Sequence, residues 1–393
     1  MSNTGPAPAE SKRPQSRLRG AASDLAGACG DLGTFLPHVI GAITVAGLGP
    51  AGVLAGFGAF YIATGLFYGL PIAVQPMKAI SAVLVTGQAG PGEVAAAGLL
   101  MGATLLVLAA TGTIGWLART IPQSVAAGLQ LGLGVSMGIL GAMLMWQTPW
   151  LGFGALLLLA ALMALPRFPA APAMLLAAAC AGFFTGQTGG IAHAVPALKG
   201  LALTIPTHED LWRALPLLIV PQLPLTLTNA IIVTALVCRD LFPATSGRAS
   251  ERNLALSTGL ANLLLAPLGA MPMCHGAGGL QAHYRFGART GLAPIALGGV
   301  LLVLGLGFAG HAAALLELLP ISAVGALLLV AGLDLAASRR LFDSQPSCWP
   351  VIVLTAAGTL LANPAVGLIA GLASEAARKA ILLAIGARRR ASS

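Results

Sequence analysis

Lys78 stands in the stretch LPIAVQPMKAISAV (Leu70 to Val83), with apolar residues before and after it. A charged side chain inside an apolar segment is costly and calls for a partner or a ligand. Proline has no amide hydrogen and suits the first positions of a helix. Pro76 is therefore expected to open a short helix that begins with the amides of Met77, Lys78 and Ala79. Gln75, just before it, carries an amide that can donate to an oxyanion oxygen or cap the break. A second stretch, GAMPMCHGAGGLQAHYRFGARTG (Gly269 to Gly291), breaks at Met271-Pro272. Its glycines permit close backbone approach, so the amides of His275, Gly276, Ala277 and Gly278 can surround a small ligand. Two facing helix starts contribute about half a positive charge each, and Lys78 adds a full one. Such a field suits an anion.

Each of these residues has a plainer reading as well. Lys78 attracts an oxyanion, pairs with Asp31 of the Gly30-Asp31-Leu32-Gly33 stretch, or snorkels towards the interface. Asp31 is a proton-coupling carboxylate, the partner of Lys78, or the cap of a distorted turn. His275 donates to substrate, senses pH, or is a packing residue. Cys274 lies where a helix start lowers a thiol pKa, although packing is the commoner role. Thr226, Thr228 and Asn229 offer either ligand contacts or hydrogen bonds between helices. His283, Arg285 and Arg289 read as orienting charges around a vestibule. His38, His193, His208 and His311 show no metal-ligand spacing, so neither a metal nor a cofactor is expected. No nucleophile, base and activated water come together in the sequence, which argues against an enzyme.

The elements that must position these groups are membrane helices. The chain is 57% hydrophobic and 8% charged, against about 25% charged in soluble domains. Allowing about 20 apolar residues per crossing, we place fourteen helical segments in two sets of seven. The first set occupies 24–46, 50–70, 75–87, 93–117, 122–145, 150–165 and 171–188. The second occupies 212–238, 253–271, 275–287, 291–309, 315–336, 348–362 and 364–386. Segments three and ten are too short to cross alone. With both termini in the cytoplasm, all Lys and Arg residues except Lys78, Lys199 and Arg213 fall on the cytoplasmic side, as the positive-inside rule requires. This orientation accounts for the net charge of +9 without nucleic acid, for which no basic-aromatic interleaving is present. The five cysteines are scattered and read as free thiols. Residues 1–20 lack the apolar centre of a secretory signal and read as a disordered cytoplasmic tail.

The halves also resemble one another. Ile121-Pro122-Gln123-Ser124 matches Leu319-Pro320-Ile321-Ser322, and the two proline breaks lie about 200 residues apart. Seven segments per half is odd, so the second repeat enters from the opposite side. Interrupted helices at matching places in inverted repeats point to a substrate site at the bilayer midplane.

VQPMKAI, together with GDLGTFLPHVIGA (Gly30 to Ala42), VPQLPLTLTNAIIVTA (Val220 to Ala235), DLFP (Asp240 to Pro243) and the long glycine-rich stretch, resembles the molybdate transporter family related to the sulfate permeases. The resemblance implies an all-α, seven-plus-seven inverted-repeat transporter of the inner membrane. A core part (21–118 and 211–310) would carry the anion past a gate part (119–190 and 311–387), with an external loop at 191–210. Molybdate is the implied substrate, with tungstate, sulfate or a nucleobase as alternatives, and dimerisation through the gate part is common in this architecture. Only about seven residues follow Gly386, so the regulatory domain that sulfate permeases append is expected to be missing. The candidate substrate-binding residues are Gln75, Met77, Lys78, Cys274, His275, Gly276, Ala277, Gly278, Thr34, Thr228 and Asn229, with Asp31 as a coupling residue or ion-pair partner.

Overall fold

The computed structural model describes residues 17–116, 122–165, 168–186, 201, 203–308, 318–337 and 339–391. Each of the fourteen expected segments appears among them. Segment one is α1 (Arg17–Ala28), a short 3-10 turn (Cys29–Asp31) and α2 (Leu32–Thr44). Then come α3 (Pro50–Tyr68), strand β1 (Ala73–Pro76) with α4 (Lys78–Val85), α5 (Pro91–Thr111), α6 (Gln123–Met145), α7 (Pro149–Met163) and α8 (Ala170–Thr185). The second half follows the same plan. It runs through α9 (His208–Leu241), α10 (Glu251–Leu265), β2 (Met273–Gly276) with α11 (Ala277–Arg285), α12 (Leu292–Gly307), α13 (Ile321–Ala336), α14 (Trp349–Leu361) and α15 (Pro364–Ala391).

Two sequence-based boundaries need correction. Helix α1 already covers residues 17–20, which were read as tail, while residues 1–16 lie outside the described region. Helix α9 begins at His208, inside the stretch read as external loop, because Thr207 and Asp210 form a reciprocal cap at its start. Most of that loop lies outside the described residues.

Among the described residues, five helices are long and apolar enough to cross a bilayer. Shorter apolar helices, among them Pro149–Met163, Ala170–Thr185 and Leu292–Gly307, make up other segments. Segments three and ten each enter as an extended strand and continue as a short helix. The strands pair antiparallel, with Ala73 opposite Gly276, Val74 opposite His275, Gln75 opposite Cys274 and Pro76 opposite Met273. Every residue of both strands is buried. Irregular backbone is tolerated at membrane depth only where its polar groups are satisfied within protein. Here the ladder does so, helped by Met77 N–H donating to Pro272 O at 3.0 Å. Asn262 of α10 completes it, donating to Met273 O at 2.6 Å and accepting from Met273 N–H at 2.9 Å.

The repeat is visible in backbone conformation. Left-handed glycines end the helix before each break, Gly69 (φ 65°) and Gly269 (φ 85°), and follow each short helix, Gly87 (φ 76°) and Gly287 (φ 110°). Packing obeys the same symmetry. Segment two lies against segment eleven (α3 on α12), and its mirror pair, segment nine against segment four (α10 on α5), does likewise. Segments five and twelve (α6 and α13) pack on each other with their backbones in contact at Gly141 and Gly325. Helix α14 packs on α6 and α15. Two bodies result: one holds the strand pair, α3, α5, α10 and α12, and the other is built on α6, α13, α14 and α15.

Candidate functional site

The strand pair aims two helix starts at one another near the middle of the bundle. Met77 caps α4 and Gly276 caps α11, both with extended backbone. The first amides of each helix have no partner within their own helix. Not all of those of α4 remain open, however. Met77 N–H is taken by Pro272, and Ala79 N–H donates to Gln222 Oε1 at 2.9 Å. Two of the three amides with which this helix was expected to begin, those of Met77 and Ala79, are thus satisfied within the protein. Gln222 belongs to α9, in which π-helical turns at Leu215–Ile219 and Thr226–Val233 flank a short α-helical stretch, Val220–Leu225, that carries Pro221, Gln222 and Pro224. Proline removes the amide that a regular turn needs, and π-turns often mark functional sites. Gln222 Nε2 in turn donates to Thr226 Oγ1 at 3.0 Å.

Gln75 and Cys274, opposite each other in the ladder, share one face of the strand pair. On that face Gln75 Nε2 donates to both carboxylate oxygens of Asp31, at 2.7 Å each, and all three residues are buried. Thr34, one turn further along, lies beside the same carboxylate. The bridge requires glycine at two places in the second repeat. A Cβ on Gly279 would stand 2.5 Å from Asp31 Oδ2, and one on Gly276 would collide with Gln75 Oε1.

Lys78 does not pair with Asp31. Its Nζ makes a 2.9 Å ion pair with Asp334 Oδ2 on α13, so the sequence-based pairing with Asp31 is corrected: Asp31 is committed to Gln75 and Asp334 stands at the ammonium. Other expected contacts are rearranged too. His275 lies on the opposite face of the ladder, bonded to Ser257 at 2.9 Å and packed on Phe60 and Tyr68. The side chain of Met77 is buried in the apolar core. Thr228 donates to Pro224 O at 2.6 Å and accepts from Arg340 Nη2, whereas Asn229 and Gly278 are exposed. Cys274 is a buried free thiol and Ala277 is buried at the start of α11. His283 is buried and donates to Pro71 O at 3.0 Å, which ties the second break to the first, so it does not line a vestibule.

Sequence reasoning passed over Asp334, Gln222 and Arg340. Asp334 carried the same signal that singled out Lys78, an ionisable residue within an apolar run. Arg340 was grouped with the orienting charges.

The sequence profile of the family described as "Molybdate transporter of MFS superfamily" matches residues 23–137 and 214–335, a large part of each repeat. The chain belongs to this molybdate transporter family. It is 31% identical to "Molybdate transporter 2" of Arabidopsis thaliana, over 89% of this chain and 86% of that protein. It is 30% identical to "Molybdate transporter 1" of Chlamydomonas reinhardtii, over 90% and 91%. Among solved structures, the transmembrane domain of the cyanobacterial bicarbonate transporter BicA superposes with a TM-score of 0.67 at 17% identity, covering 91% of this chain and 98% of that domain. Murine SLC26A9, an anion transporter in its inward-facing state, gives 0.66 at 13%, over 95% of this chain and 69% of that one. These likenesses establish the fold: this molybdate transporter relative has the seven-plus-seven architecture, with two broken helices crossing at the centre. The family description names the MFS superfamily, but MFS halves are six-helix units related by an axis along the membrane normal. The antiparallel strand pair formed by opposed segments does not belong to that plan.

Proposed function

We propose that this protein carries molybdate across the inner membrane by alternating access, with the anion held between the starts of α4 and α11. The observation that carries the reading is the convergence of two helix N-termini and one lysine at the centre of the bundle, in a chain of the molybdate transporter family. Molybdate carries two negative charges. Two helix starts supply about one positive charge together, and Lys78 supplies the second. Exposed Gly278 and Asn229, together with Thr34 beside Asp31, are the remaining contacts open to the anion.

In this reading the strand-bearing body (21–118 and 211–310) is the core and the other (119–190 and 311–387) is the gate. The core moves relative to the gate and exposes the same site to each side in turn. Both termini lie in the cytoplasm, because the basic clusters then lie inside. Dimerisation through the gate leaves the core free to move.

Purified protein in liposomes tests the assignment by uptake of molybdate, tungstate, sulfate and uracil under imposed pH gradients. Molybdate is expected to accumulate fastest and to be inhibited by excess tungstate. Uptake of sulfate or uracil in preference to molybdate would overturn the substrate assignment.

A further inference from the structure

Asp334 occupies the ammonium of Lys78, the group that the proposed function assigns to the anion. It contacts Lys78 at 2.9 Å, and its side chain is 64% exposed while that of Lys78 is 27% exposed. A carboxylate so open in the membrane-spanning part of a protein faces water, since lipid would not solvate it. The pair is thus reachable from an aqueous vestibule. With Asp334 open to solvent, the pair is partly screened and weak enough for an incoming dianion to displace. The nearby carboxylate of Asp31 cannot take over, because Gln75 holds it by both oxygens.

The pair also joins the two bodies. Lys78 opens α4, which the strand ladder fixes to the core. Asp334 sits on α13, which is seated on α6 by backbone contact between Gly332 and Gly134. One face of α13 is therefore committed to the gate at Gly332, Leu335 and Ala336, while Leu333 and Asp334 are turned away and exposed.

We infer that Asp334 is an internal competitor for the transported anion, occupying Lys78 when the site is empty and yielding it, along with the bridge between core and gate, when a dianion binds. The inference rests on the anion-site reading given above. It assigns Asp334 a part in setting anion affinity. The two helix starts favour a dianion over a monovalent anion, and the competitor lowers the affinity for either by the same factor. A second tie between the bodies, Arg340 Nη2 on Thr228, remains when Asp334 is changed, and the exposed position makes Asp334→Asn compatible with folding.

The test is calorimetric titration of the native protein, Asp334→Asn and Asp334→Glu with sodium molybdate and, separately, sodium nitrate. Asp334→Asn is expected to bind molybdate more tightly by about fivefold, the upper end of what an exposed pair is worth. It should also gain affinity for nitrate, and Asp334→Glu should behave like the native protein. Molybdate binding by Asp334→Asn that is equal to or weaker than native would overturn the inference. Asp334→Ser supplies the same readout if the Asn variant does not fold. A native protein that binds neither molybdate nor sulfate would instead overturn the anion-site reading, and the competitor role with it.

Discussion

The two broken segments share a backbone and divide the chemistry between them. Both run from a left-handed glycine through an extended strand into a short helix capped by an extended residue, Met77 in one and Gly276 in the other. Their contents differ. The first segment supplies side chains, Gln75 towards Asp31 and Lys78 towards Asp334. The second supplies room: where the first has Met77 and Lys78, it has Gly276 and Ala277, followed by Gly278 and Gly279. The difference shows that the symmetry fixes where two helix starts meet, while the asymmetry of the residues makes the meeting point a site for charge. A second lysine opposite the first would add repulsion, and a second bulky segment would fill the space. Gln75 and Asp31 can bridge only because glycine stands opposite them.

The charge half of this comparison is broken most directly by Lys78→Met. Hydrogen bonds to charged groups contribute about 1.5–3 kcal/mol, so molybdate affinity should fall by about 100-fold in a calorimetric titration. The melting temperature should change little, because Asp334, left without its partner, is open to solvent. A drop in stability matching the loss of binding would make Lys78 a structural residue. Because Asp31 is engaged elsewhere, adding Asp31→Asn should restore neither property.

The room half is broken by Gly279→Val. Its Cβ would meet Asp31 Oδ2 and Ala73 Cβ, each at 2.5 Å, and overpacking of this kind costs about 1–3 kcal/mol. We expect a lower melting temperature and a smaller loss of molybdate uptake than Lys78→Met gives, since the charge remains in place. Native stability and uptake in this variant would show that the Gln75–Asp31 bridge can be dispensed with.

The smallest effect is expected at His275. It lies across the ladder from Gln75, and its hydrogen bond to Ser257 is worth about 1 kcal/mol. His275→Phe should therefore lose about that much stability in denaturant unfolding while molybdate affinity stays within about twofold. A loss of binding as large as that of Lys78→Met would place the imidazole at the anion.

Much of the frame was legible in the sequence because its signals are local. Prolines and glycines marked both breaks, hydropathy marked the segments, and the odd number of segments per half implied inversion. Lys78 stood out against its apolar surroundings for the same reason. The partners of these residues were less legible. Asp334 lies on a helix far along the chain from Lys78, and only the packing of both α13 and α4 against α2 brings the two together. Gln222 stood within a recognised motif, yet nothing in its spacing says that α9, through its short α-helical stretch between two π-helical ones, aims it at the amide of Ala79. His275, read at the start of a helical segment, lies instead on a strand, whose residues alternate between faces, so it is turned to the side opposite Gln75 and Cys274.

The central claim, that the anion rests between the starts of α4 and α11 beside Lys78, is tested most directly by locating the metal itself. Crystals of the protein grown with molybdate and measured at the molybdenum absorption edge would give its position without reference to protein density. One anomalous peak is expected within hydrogen-bonding range of Lys78 Nζ and the first amides of α11, with Asp334 withdrawn from the lysine. A peak elsewhere in the bundle, with the Lys78–Asp334 pair still closed, would contradict it.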